Sequence, residues 1–288
     1  RQMCIRDRFF AFTLGSHGEN GRSFLTDLRQ ADFSSIGSAL LGGIIFNASN
    51  ILLSAAIAVC GMSVAFPVGV GLALVLGVII NYIGEAKGNP IFIFIGVFLI
   101  TIAIILNGIA YKKASVDNKK VSVKGLTLAI SAGFIMAFFY RFVAASIDLT
   151  SFEHPAAGKM TPYTAVFIFS LGILTSNFLF NTIAMKHPVE GKAIPISGYF
   201  KGRAITHLVG LLGGIIWCVG QSFSMIASEK AGAAISYGLG QGATLVSALW
   251  GILIWKEFKG ATPICRILNM CMFILFLIGL YCLIYAGA

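Results

Sequence analysis

A six-residue run, Leu40-Leu41-Gly42-Gly43-Ile44-Ile45, recurs as Leu211-Leu212-Gly213-Gly214-Ile215-Ile216, and the likeness continues at a constant offset of 171 residues. In that register Gly61 falls on Gly232, Gly69 on Gly240, Gly71 on Gly242, Leu74-Val75 on Leu245-Val246 and Ile83 on Ile254. Roughly thirteen identities over about forty-seven positions exceed the four or five that apolar composition alone would give. After a one-residue slip, Glu85-Ala86-Lys87-Gly88 falls on Glu257-Phe258-Lys259-Gly260. The chain reads as an internal duplication, and any fold for it must hold two copies of one unit.

The solvent of that unit follows from composition. Hydrophobic residues make up 57% of the chain and charged ones 11%, which belongs to polytopic membrane proteins rather than soluble domains. Apolar stretches of about 20 residues cross a hydrocarbon layer of about 30 Å. They occur near 36 to 58, 62 to 83, 91 to 111, 124 to 146, 163 to 185, 205 to 227, 231 to 255 and 264 to 286. These eight spans lack the alternating pattern of membrane strands, and backbone in lipid must bond to itself, so an all-α bundle is expected.

Passing from the span at 36 to its counterpart at 205 takes five crossings, an odd number, so the two copies should be inverted relative to each other. Inverted repeats about a pseudo-two-fold axis in the membrane plane are a recurrent plan of secondary transporters. The second copy has two spans, 124 to 146 and 163 to 185, ahead of its repeated core, where the first has only a loop and the stub Phe9-Phe10-Ala11-Phe12-Thr13. The expectation is therefore two inverted five-helix repeats, ten spans in an intact protein of about 340 residues, with eight present here. Residues 9–122 form a partial first repeat of three spans and 123–288 a second of five. The leader Arg1-Gln2-Met3-Cys4-Ile5-Arg6-Asp7-Arg8 resembles translated adapter sequence and is set aside as non-native.

The net charge of +10 forms no contiguous basic face with interleaved aromatics, so no nucleic-acid partner is expected. Lys112, Lys113, Lys119, Lys120, Lys124, Lys186, Lys192, Lys201, Arg203, Lys256 and Lys259 collect in loops of one side, against Arg22, Arg29, Lys87, Lys159 and Lys230 on the other. The positive-inside rule turns the first side to the cytoplasm, as in a bacterial inner membrane. Six cysteines without a CxxC and four scattered histidines support neither a metal nor another cofactor.

Polar residues inside the spans are the candidates for a solute site. Asn47, Asn50 and Ser54 share one helix face; Trp217, Gln221 and Ser224 form the matching stripe, with Gln221 on Asn50 and Trp217 on Phe46. Carboxamides offer donors and acceptors that can replace water around a neutral polyol, sugar or amide. Interhelical bonding is the alternative use of the same groups. Gln241 breaks the symmetry, its partner being Val70, and shares a face with Tyr237 and Thr244. Trp217 is either a stacking platform or packing. Arg141, inside its span, requires a cavity, a partner or snorkelling, and Asn177 and Asn181 on the next span extend the polar face. No carboxylate lies mid-span; Glu85, Glu257 and Asp148, at the ends, are the coupling candidates if protons drive the cycle. The paired glycines Gly42-Gly43 and Gly213-Gly214 and the series Gly238, Gly240, Gly242 with Gly69 and Gly71 suit close helix approach.

Ser247-Ala248-Leu249-Trp250-Gly251-Ile252 leading to Glu257, in a plan of inverted five-helix repeats, resembles the drug/metabolite transporter superfamily. Phe46-Asn47-Ala48-Ser49-Asn50, the Gly-rich stretch from Phe66 to Tyr82, and Leu249-Trp250-Gly251 through Lys256-Glu257 are most similar to its branch of sugar-uptake and ureide permeases. The resemblance implies a central cavity lined by the spans at 36, 62, 205 and 231. The loop from Lys112 to Lys124 lacks the phosphate-loop-like motif of ureide permeases. The function expected is a permease for a small polar organic solute such as a sugar, nucleobase or ureide, not an enzyme. A multidrug or metabolite exporter and a non-transporting membrane subunit are the rivals; oligomeric state is not legible.

Overall fold

The computed structural model describes residues 22–114, 122–152, 155–193, 195, 197–198, 201–256 and 258–287. The leader 1–8, the stub 9–13 and Glu257 lie outside them. Among the described residues the secondary structure is helical, apart from one isolated bridge between Ile147 and Met160. The helices are α1 (Phe24–Gln30), α2 (Phe33–Cys60), α3 (Met62–Ala65), a wider π turn (Phe66–Val70), α4 (Gly71–Gly84), α5 (Pro90–Ala114), α6 (Val123–Ser146), α7 (Pro162–Lys186), α8 (Ala204–Ala231), α9 (Ala233–Gly240), α10 (Ala243–Leu253) and α11 (Pro263–Ala286).

Boundaries follow local chemistry. α5, α7 and α11 open on proline, whose missing N–H costs nothing in the first turn. α2 and α8 each run 28 residues and each stop at a glycine in the left-handed region, Gly61 at φ 83° and Gly232 at φ 82°. Seven helices are long and apolar enough to cross a membrane, α3, the π turn and α4 counting as one. The eighth expected span, 231 to 255, is instead broken: α9 ends at Gly240, and α10 begins at Ala243 after a turn at Gln241-Gly242. Glycines at 238, 240 and 242 weaken the helix by about 1 kcal/mol each relative to alanine. Turn bonds from Gly242 N–H to Leu239 O (2.9 Å) and Thr244 N–H to Gln241 O (3.0 Å) replace the regular ladder.

The chain divides into two compact units, Arg1–Ala48 with Phe138–Ala233 and Ser49–Ala137 with Ala234–Ala288. In the first, glycines bring α2, α6 and α7 to backbone contact. A Cβ at Gly42 would stand 2.7 Å from Val143 Cγ2 and 3.0 Å from Phe139 O; one at Gly43 would collide with Phe169 O, and one at Gly172 with Leu40 O. α1 is fastened to the α6–α7 loop. Asp27, fully buried, accepts from Thr161 N–H (2.8 Å) and Thr161 Oγ1 (3.0 Å), placing its charge at the N-terminus of α7, where the helix dipole favours it. Arg22 Nε stands 3.4 Å from Asp27, and its Nη2 donates to Pro155 O at 2.6 Å.

In the second unit α5 and α11 pair antiparallel. Asn89 N–H donates to Ala286 O (2.8 Å), Gly96 faces Gly279 O, and Cys265 Sγ donates to Ala110 O (3.5 Å). Buried residues on α11, Cys265, Asn269, Met272, Phe276, Gly279, Leu283 and Ala286, alternate by four and three, the spacing of a coiled-coil seam. The same register sets Asn107 of α5 opposite Asn269.

Candidate functional site

The strongest constellation lies within the first unit, where α2, α6, α7 and α8 contribute aromatic rings. Trp217 stacks on Phe46 with centroids 4.7 Å apart and planes 29° from parallel, and on Phe169 at 6.3 Å and 24°. Phe46 also meets Phe139 edge-on at 5.1 Å. Phe46, Phe139 and Phe169 are buried, whereas Trp217 is only half-buried. The indole therefore caps an apolar nest and keeps accessible area, the disposition of a stacking platform.

One turn further along α8, Gln221 Nε2 is buried and has no acceptor. A desolvated amide donor without a partner costs about 1–3 kcal/mol. A carbonyl or hydroxyl brought to it would remove that cost, so the Trp217–Gln221 stripe combines a π face with an unmet donor. Ser224, the third member, receives Tyr140 Oη on its backbone carbonyl at 3.3 Å.

The equivalent stripe on α2 is less open. Asn47 is 5% exposed and donates through Nδ2 to Ser176 Oγ at 2.9 Å, a bond between α2 and α7. Ser54 is exposed and donates back to Asn50 O (2.8 Å), leaving Asn50 half-buried between them. Arg141 and Asn177 are half-buried and Asn181 is exposed. No hydrogen bond joins these three among the described residues.

The second unit holds the other candidates. Tyr237 is almost wholly buried; its hydroxyl donates to Ala73 O at 3.0 Å and its ring lies against Gly77, where a Cβ would meet Cζ at 2.6 Å. It fastens α9 to α4. Thr244 is buried with Oγ1 lacking a partner, and Gln241 sits half-buried in the turn between α9 and α10. Glu85, ending α4, is half-buried, with Oε2 buried and without a donor. Asp148 belongs to the loop after α6, where Thr150 Oγ1 (2.6 Å) and Ala156 N–H (2.8 Å) donate to it. Partial burial pushes its carboxyl upward, but these bonds and those from the Thr150 and Ser151 backbone outweigh it and hold the group below the usual carboxylate range.

Sequence reasoning missed Asp27, Ser176 and the Asn107–Asn269 pair. The coiled-coil spacing of α11 carried a signal for Asn269; nothing near Asp27 pointed to Thr161.

The model of the ureide permease family matches residues 4–124 and 113–286. The chain belongs to the ureide permease family. Ureide permease 1 of Arabidopsis thaliana is 23% identical over 329 aligned residues, covering 93% of this chain and 83% of the relative. Ureide permease 3 of the same plant is 24% identical over 256, covering 77% and 72%. Probable ureide permease A3 of Vigna unguiculata is 22% identical over 314, covering 86% and 83%. No solved structure matches the chain. The protein is thus an integral membrane protein of a permease family.

Proposed function

We propose that the protein is a secondary carrier for a small polar organic solute, a ureide, nucleobase or sugar, moved by alternating access between two inverted repeats of a ten-span plan like that of the drug/metabolite transporter superfamily. The observation that carries the solute assignment is the half-buried Trp217 platform with the unmet Gln221 donor one turn away. Planar, carbonyl-bearing rings satisfy both at once: the face stacks and the carbonyl accepts.

Three findings support the repeat division into 9–122 and 123–288. Phe46 and Trp217 occupy equivalent positions and touch, as only residues beside a two-fold axis do. α2 and α8 share their length and their terminal glycine conformation. The π turn Phe66–Val70 corresponds, at the same offset, to the segment 237–241 where α9 gives out. Paired interruptions at equivalent depth are where secondary carriers place substrate and coupling ions. Glu85 is the coupling candidate in this reading, because its Oε2 is a buried acceptor without a donor, to which a coupling cation could be matched.

Counterflow with purified protein in liposomes, using labelled allantoin, uracil and glucose, tests the assignment. Exchange of at least one, reduced in Trp217→Ala, is expected. Exchange of hydrophobic cations instead marks an exporter, and no exchange of any solute ends the carrier reading.

A further inference from the structure

α6 carries a cation on its outer stripe. Ile130, Phe134, Phe138, Arg141 and Ala145 follow one another at intervals of four and three, which places them on one side of the helix. Ile130 and Phe134 are exposed and the other three half-buried, whereas Met136, Phe139, Tyr140 and Val143 are buried on the other side. Exposed Ile and Phe on a membrane helix meet acyl chains, so Arg141 opens toward lipid and away from the aromatic nest that Phe139 joins.

A guanidinium in hydrocarbon is costly at the bilayer centre and less so near a helix end. Arg141 stands five residues before Ser146, the last of α6, about 8 Å along the axis. Its stem spans that depth by snorkelling, which brings the charged head to the level where headgroup phosphates begin. A second cation is fixed one turn further on: Lys159 Nζ donates to Ala145 O at 2.6 Å, at the negative end of the helix dipole. Lys159 is not a loose surface side chain. Its carbonyl accepts from Gln30 Nε2 at 2.7 Å and from Arg22 Nη2 at 3.3 Å, and the N–H of Met160 donates to Ser146 O at 3.0 Å. Neither cation forms an ion pair among the described residues; Asp27 is held by Arg22, and Asp148 is occupied by Thr150 Oγ1 and the Ala156 N–H.

We propose that Arg141 and Lys159 form a binding site for the phosphate of an anionic phospholipid, seated at the end of α6 with its acyl chains along the stripe of Ile130 and Phe134. The guanidinium offers a fork of donors that matches two phosphate oxygens, and the ammonium adds a donor from the loop side. Two cations with no carboxylate between them favour a headgroup of net negative charge over a zwitterionic one. Because Lys159 belongs to the loop that Arg22 and Gln30 fasten, a lipid held there ties that loop to α6 and stabilises the unit. The inference rests on the membrane placement and not on which solute is carried, so it stands or falls separately from the transport assignment.

Thermal unfolding of the protein in detergent, with lipid added back, tests it. Phosphatidylglycerol should raise the unfolding temperature saturably, and phosphatidylcholine much less. Arg141→Gln and Lys159→Gln should each raise the half-saturating phosphatidylglycerol concentration about fivefold, the worth of one basic residue at headgroup depth. Arg141→Lys should recover part of the loss. Lys113→Gln, at an exposed cation near the end of α5, should leave the half-saturation unchanged. An equal response of the wild type to both lipids, or an unchanged half-saturation in the Gln variants, overturns the proposal. The same saturable rise with glycerol 3-phosphate and no lipid identifies a soluble anion as the occupant and overturns it equally. Should Arg141→Gln fail to fold, Lys159→Gln, whose side chain lies beyond the span, decides alone.

Discussion

The two compact units differ in the kind of buried polar atom they leave unmatched. In the first unit, among the described residues, these are nitrogens: Gln221 Nε2, and Arg22 Nε, which makes an ion contact with Asp27 without an aligned bond. In the second they are oxygens: Asn81, Asn107 and Asn269 Oδ1, Glu85 Oε2 and Thr244 Oγ1. The buried carboxylate of the first unit, Asp27, has its oxygens matched by Thr161, Gln30 and Arg22, whereas the carboxylate ending α4 in the second does not. An unmatched donor asks for a carbonyl or hydroxyl; unmatched acceptors ask for a proton, a cation or water. On the carrier reading proposed above, the difference assigns the solute contact to the first unit and the coupling ion to the second.

The sharpest way to break that contrast is to remove a matched acceptor. Asp27→Ala strands the Thr161 and Gln30 donors and the Arg22 cation at the start of α7, and should cost about 3–5 kcal/mol. Thermal unfolding in detergent checks it; a melting temperature equal to wild type means the network holds nothing.

The opposite outcome is expected in the second unit. Asn269→Leu together with Asn107→Leu replaces two desolvated amides in the α5–α11 seam with side chains of similar size. The bond from Asn107 Nδ2 to Ser63 O at 3.2 Å is lost, but two buried oxygens without donors are removed, each of which costs about 1–3 kcal/mol. The double variant should therefore unfold at an equal or higher temperature. Marked destabilisation would show that the pair is satisfied by water and belongs with Asp27. The pair also occupies opposing layers of a seam, where a buried asparagine fixes register, so the more stable variant should show looser register in cysteine cross-linking along α5 and α11.

How much of this was legible beforehand depends on the range of the interaction. The repeat, the apolar stretches and the helical class are carried by local sequence, and α2 and α8 end where the matched glycines place them. The alignment of Trp217 with Phe46 left a solute platform and packing both open, and the stack of one ring on the other is a contact that alignment does not carry. The break at Gln241 was not anticipated, although three glycines within five residues announced it; a length criterion for spans ignores how weakly glycine holds a helix. Spacing puts Asn47 on a polar stripe open to solute contact or to interhelical bonding, and its bond to Ser176, 129 residues away, is tertiary information that periodicity does not carry. Asp27 was invisible for the same reason: its partner Thr161 is distant in sequence, and an isolated Asp in a loop reads as a solvated charge.

A smaller effect sharpens the first unit's side of the contrast. Gln221→Leu removes a donor that has no acceptor in the protein, so folding should be unaffected or slightly favoured. Solute affinity should fall about three- to tenfold, the worth of one hydrogen bond of about 0.5–1.5 kcal/mol. Measured as the half-saturating concentration in counterflow, an unchanged value would mean that the amide faces packing and not solute.

The smallest effect concerns Asp148, whose bonds lie outside the membrane and near water. Its folded carboxyl sits below the ordinary value for an aspartate, so the charged form is favoured by folding. The contribution is present above the unfolded pKa and is lost as pH falls through the lower folded value, that is, only in acid below about 4. From neutral pH down to about 5 the loop after α6 should keep its stability, and Asp148→Asn should melt only slightly below wild type, the gap closing in stronger acid. Because Asp148 is largely solvated, screening keeps the difference within about 1 kcal/mol. Because a group held below the ordinary carboxylate range stays charged near neutrality, the pH dependence of transport in that interval should be the same in Asp148→Asn as in wild type; its loss would contradict the downward shift.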